Sequence, residues 1–73
     1  MFIAKAYLNR QFIGLIDDIE SHNDYDCIDF IWEHLQKGYY CVLQFGNTTK
    51  YYSADFFNEN SMDIYDCIIN EEV

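Results

Sequence analysis

The sequence predicts an α+β domain of order ββαββα: a four-stranded, mainly antiparallel sheet with two helices on one face. Three observations lead there. Short apolar stretches paired around turn residues occur twice, at Phe2–Ile16 and at Tyr39–Phe56. Each pair is followed by a capped stretch with apolar residues at helical spacing. Apolar residues are 51% of the 73, enough for one core and therefore for one domain spanning residues 1–73. The absence of proline, with only three glycines, leaves no linker to divide it.

The first pair breaks at Asn9-Arg10, which reads as strand, tight turn, strand. Both faces of this hairpin are apolar, with Ile3, Tyr7, Phe12 and Ile16 against Ala4, Ala6, Ile13 and Leu15. A helix over Phe2–Ile19 accommodates the same residues, so periodicity alone leaves both open. After the polar run Glu20-Ser21-His22-Asn23, Asp24 is an N-cap for a helix from Tyr25 to Lys37, closed by Gly38. Ile28, Ile31, Trp32 and Leu35 stand at i, i+3, i+4 and i+7, one apolar stripe with Trp32 in the core.

Tyr39–Phe45 and Lys50–Phe56 read as strands around a turn at Gly46-Asn47-Thr48-Thr49. Centring that turn on Asn47-Thr48 sets Phe45 opposite Lys50, Leu43 opposite Tyr52 and Cys41 opposite Ala54. The other face then carries Tyr40, Val42, Gln44, Tyr51, Ser53 and Asp55. Ser61 caps a last helix through Asn70, with Ile64, Tyr65, Ile68 and Ile69 inward.

The tetrapeptide Tyr-Asp-Cys-Ile occurs at Tyr25 and again at Tyr65. Aligning the two copies puts Asp29 over Ile69 and Ile31 over Glu71, so the match does not extend. An offset of 37 residues fits the periodicity better, setting Asp26 over Asp63, Asp29 over Asp66, Ile31 over Ile68 and Trp32 over Ile69. Two ββα units, 1–37 and 38–73, are therefore an alternative description of the one domain.

Charge is distributed unevenly. Thirteen acidic and four basic residues give a net charge of −9. Seven acids fall between Asp17 and Glu33, and six between Asp55 and Glu72, with no Lys or Arg inside either interval. On the first helix Asp26, Asp29 and Glu33 lie at i, i+3 and i+7, opposite the apolar stripe; Asp63 and Asp66 are placed likewise on the second. Polarity of an outer helix face is ordinary, but its single sign is not, since exposed helices gain from mixed Glu–Lys pairs and lose from like charges. Closely spaced carboxylates with tyrosines at their margin suit a basic groove on another protein, where they compete for the Lys and Arg that neutralise phosphates.

In size, charge, single-domain build and absence of enzyme motifs, the chain resembles the small acidic anti-defence proteins of phages and mobile elements, the anti-CRISPR and anti-restriction inhibitors of nucleic-acid-mimic type. The likeness is one of class and carries no residue roles. It implies an inhibitor that occupies a nucleic-acid-binding surface on a host defence effector. The residues expected to bind are Asp26, Asp29, Glu33, Asp63 and Asp66, with Tyr40 and Tyr51. The alternative is a non-enzymatic module that forms a homodimer through its sheet, where Tyr40 and Tyr51 face away from the helices.

No catalytic residues are expected: there is no Gly-x-Ser-x-Gly, no phosphate-cradling glycine loop and no Cys–His arrangement of known kind. No metal or other cofactor is expected either. His22, Cys27, His34 and Cys41 match no zinc spacing, and the acidic run after Asp17 lacks the ligand alternation of a calcium loop. Direct nucleic-acid binding is disfavoured by the net charge. The odd cysteine count, Cys27, Cys41 and Cys67 among apolar neighbours, predicts buried free thiols in a reducing compartment. No apolar run spans a membrane and Met1–Lys5 has no leader character. The expected location is the cytoplasm, that of the host cell if a phage encodes the chain.

Overall fold

The computed structural model describes residues 4–70, so the predicted place of Ile3 in the first strand lies outside it. In order the elements are β1 (Ala4–Arg10), β2 (Gly14–Ser21), α1 (Asp24–His34), β3 (Tyr39–Phe45), β4 (Thr48–Ser53), α2 (Ala54–Glu59) and α3 (Ile64–Asn70). The class is α+β, as predicted, but the order is ββαββαα. All strand pairs are antiparallel and run β2-β1-β3-β4 across the sheet. The two hairpins thus join through their first strands, and β2 and β4 are the edges.

Alternation along the inner strands defines one core face. Ala4, Ala6 and Leu8 of β1 and Cys41, Leu43 and Phe45 of β3 are buried, with Tyr52 of β4 beside them. Cys27, Ile28 and Ile31 of α1, Phe57 of α2, and Ile64 and Ile68 of α3 close over them in a single cluster. All three helices therefore cover the same face. Phe57, Leu8, Ile28, Ile31, Leu43 and Ile68 are its largest fully buried side chains, each stabilising the fold by about 1.5–3 kcal/mol through removal from water.

The first turn lies later than the sequence suggests. Asn9 and Arg10 stay in β1 because β3 holds them, Asn9 opposite Tyr40 and Arg10 opposite Tyr39. The chain reverses over Gln11–Ile13 instead, where the Ile13 N–H donates to the Arg10 carbonyl at 3.0 Å. Leu8 pairs with Asp17 but Asn9 with Leu15, which makes Ile16 the extra residue of a bulge. Phe12, Ile13, Leu15 and Ile16, expected on two apolar faces, are all exposed.

Helix α1 is shorter than predicted. Its N-cap is Asn23 rather than Asp24, and the Asn23 side chain accepts the Tyr25 N–H at 2.8 Å. It ends at His34, because Leu35 is extended and Gly38 (φ 88°) belongs to the turn that feeds β3. Lys37 is thus off the helix. The buried stripe is Cys27, Ile28 and Ile31; Trp32 lies at its margin, 41% exposed, stacked on Phe57 at 5.9 Å between centroids.

Strand β3 has the predicted bounds, but its partner sits two residues closer. Phe45 pairs with Thr48, Leu43 with Lys50 and Cys41 with Tyr52. Gly46-Asn47 is a two-residue turn with the left-handed backbone only at Gly46 (φ 61°), the pattern of a type II′ hairpin. A displacement of two preserves the faces, because side chains alternate with period two. The predicted strand Lys50–Phe56 is cut at Ser53, whose side chain accepts the Phe56 N–H at 3.2 Å and caps α2. The last helix starts at Ile64, after a turn in which the Asp63 N–H donates to the Asn60 carbonyl.

Candidate functional site

The sequence-predicted carboxylates divide into tethered and free groups. Asp26 and Glu33 of α1 are exposed and Asp29 is half-buried, while Asp63 and Asp66 are exposed at the start of α3. Asp63 precedes the helix rather than belonging to it; its carbonyl accepts the Cys67 N–H at 2.8 Å. Asp26 is held by Ser21, whose hydroxyl donates to it at 2.9 Å and accepts the Asn23 N–H at 3.1 Å. Asp24 and Asp26 lie in the first turn of α1, where the helix dipole favours negative charge.

Asp29 is not a free surface acid. It accepts a hydrogen bond from the Tyr65 hydroxyl of α3, which links the two acidic helices. The Tyr65 ring lies against Tyr25, with centroids 5.4 Å apart and planes inclined by 41°. The bond to Asp29 raises the Tyr65 phenol above its ordinary value, with smaller contributions from burial and from the charges of Asp29 and Glu33. The predicted inward placement of Tyr65 therefore gives way to a bridging one, with the hydroxyl on the acidic face. No short sequence pattern foretold this contact, because its partners are distant in the chain. The Tyr25–Tyr65 pair adds exposed aromatic area beside carboxylates, and such a surface accepts guanidinium and ammonium groups by charge-assisted hydrogen bonds and ring contact.

Tyr40 and Tyr51 are where the strand alternation placed them, on the sheet face away from the helices. Tyr7 pairs with Val42, and Val42 with Tyr51, a row across the centre of that face. Its margin includes Lys5, 3.4 Å from Glu20. Asp55, expected on this face, instead lies in the first turn of α2. It lines a groove of about 460 Å³ with Lys37, Tyr39 and Tyr40.

Among the described residues no three His, Cys, Asp or Glu side chains stand close enough to hold a metal ion. Cys27 and Cys41 are buried and Cys67 is half-buried. Burial, then Asp24 and Asp26, pushes the Cys27 thiol up to about 11; burial pushes Cys41 up to about 12. Both are protonated and weakly nucleophilic at neutral pH. The His34 Nδ1 donates to the Phe30 carbonyl at 2.8 Å. Among the described residues no helix is long and apolar enough to cross a membrane. No family model, curated protein or solved structure matches the chain.

Proposed function

We propose that the chain is a small, non-enzymatic inhibitor that occupies a basic nucleic-acid-binding surface on another protein, acting in the cytoplasm in the manner of the anti-CRISPR and anti-restriction proteins it resembles. The observation that carries the reading is charge of one sign along α1 and at the start of α3. Asp26, Asp29 and Glu33 on α1 and Asp63 and Asp66 at α3 have no Lys or Arg among them, and the Asp29–Tyr65 bond ties the two helices together. A pre-tethered set of acids loses less freedom on binding than a mobile one.

The test is retention of a basic nucleic-acid-binding protein at two salt concentrations. Changing Glu33→Gln, Asp63→Asn and Asp66→Asn together leaves the Asp29 tether intact and should remove the retention; raising salt should weaken it for the native chain. Retention that survives the three amides refutes the reading.

The second reading, a homodimer through the open sheet face, is favoured by the uncovered row of Tyr7, Val42 and Tyr51 with Tyr40 beside it. Sedimentation separates the two. A salt-insensitive dimer broken by Tyr51→Lys supports the sheet, and a monomer rules it out.

A further inference from the structure

We propose that the tip of the β1–β2 hairpin is an anchor that inserts into an apolar cleft rimmed by Lys or Arg on a different protein. This does not rest on the helix carboxylates. Phe12 is 98% exposed, and Ile13, Leu15 and Ile16 are 62%, 57% and 43% exposed. These four neighbours in the chain form an apolar projection on the order of several hundred Å², at the upper end of what a monomer leaves in water.

The backbone at the tip adds a second observation. Phe12 has φ 70°, in the left-handed region that a bulky side chain adopts only at a cost. A turn needing only to reverse the chain is better served there by glycine or asparagine. The large ring is thus held, under strain, almost wholly in water. The bulge at Ile16 then kinks β2 and, with Asp17 and Asp18 following, disfavours addition of a strand along this edge. What the tip offers is side chains, not backbone.

Area and charge identify the occupant. The apolar tip is about half of the ~800 Å² that one side of a standard interface buries, so flanking polar contacts must supply the rest. Asp17, Asp18 and Glu20 follow it on the same strand, with Glu20 paired to Lys5 and Arg10 preceding the tip. A second copy would set these acids against their own kind, with −9 on each molecule; a cleft with a basic rim meets them favourably. A lipid surface gives the ring an apolar phase but no counter-charge for Asp17 and Asp18.

The test places a photo-crosslinking benzoyl-phenylalanine at position 12, or at the exposed position 47 in the β3–β4 turn as a control, in the full chain, which is irradiated in lysate of its source cells. The expected result is a protein adduct from position 12 whose crosslinked peptide is apolar with Lys or Arg beside it. Unlabelled native chain should suppress this adduct at least tenfold better than Phe12→Gly, which accepts the same backbone and should melt no lower than the native chain. An adduct between two copies, an equal adduct from position 47, equal suppression by Phe12→Gly, or no protein adduct overturns the proposal. So does Phe12-dependent binding to phosphatidylcholine vesicles in place of a protein.

Discussion

Tyr65→Phe removes one hydroxyl and leaves the ring against Tyr25, so it isolates the bond that joins α3 to α1. A hydrogen bond to a charged acceptor is worth about 1.5–3 kcal/mol when water is excluded. Tyr65 is 38% exposed and Asp29 is half-buried, so solvent competes for both partners and reduces the contribution to about 0.5–1 kcal/mol. For a domain of this size that lowers Tm by about 2–8 °C at neutral pH. The phenol must be protonated to donate, and its folded value lies above the ordinary 10.0. The folded state therefore retains this proton where the unfolded chain has released it, and stability falls as pH rises. The contribution is fully present below pH 10.0 and is lost as pH climbs through the higher folded value. Thermal melts of both proteins, followed by circular dichroism at neutral and strongly alkaline pH, test this. The difference should be present at neutral pH and shrink in alkali, and Asp29→Asn should make the loss in Tyr65→Phe non-additive. Equal melting at neutral pH, or a gap that does not change with pH, refutes the tether.

Glu33→Lys places a cation in the last turn of α1, among acids and where the helix dipole favours it, without touching the tether, and should raise stability by a few tenths of a kcal/mol at low ionic strength, an effect that shrinks as salt is added. Asp29→Lys should instead lower Tm at every salt concentration, because the tether is lost with the charge; paired melts distinguish the two. Phe57→Ala removes a fully buried ring from the core cluster, where it meets Trp32 and Tyr52, and should cost about 3–5 kcal/mol, most of the stability a domain this small possesses; urea titration measures it. A thiol-reactive dye at neutral pH should label Cys67 first and reach Cys27 and Cys41 only on unfolding; prompt labelling of all three would contradict their burial.

The elements that were legible in the sequence are those whose signals are local and agree with one another. Cys41, Leu43 and Phe45 alternate cleanly, so β3 and the outward aim of Tyr40 and Val42 followed from period two. Ile28 and Ile31 placed α1 on the core. The misplacements came where a tertiary partner or a stronger local signal overrode a local preference. Asn9-Arg10 has turn chemistry, yet pairing with Tyr39 and Tyr40 keeps it in a strand and moves the reversal onto Phe12. Phe56-Phe57 has strand propensity, yet Ser53 and Asp55 give the stronger instruction, a cap and a first-turn acid, and make α2. Of the candidate site, the sign of the charge and the exposure of Asp26 and Glu33 could be read directly, because charge is composition plus spacing, whereas Asp63 falls in the turn before α3. The division into tethered and free acids could not, since Asp29 meets Tyr65 only after both helices have docked.

The order β2-β1-β3-β4 also bears on how the chain finds this arrangement. Each hairpin can close by itself across a few residues, Arg10 to Gly14 in one case and Phe45 to Thr48 in the other. The central seam cannot: Lys5 must meet Gln44, and Arg10 must meet Tyr39, with α1 and its flanking segments gathered between them. Closing that loop takes its entropy before any buried area is gained, and rates fall as such distant pairings dominate. Meeting of β1 and β3 is thus the step at which two marginal hairpins become one sheet. Until it occurs, Ala6, Leu8, Leu43 and Cys41 face water together, and the nascent chain is at its most adhesive.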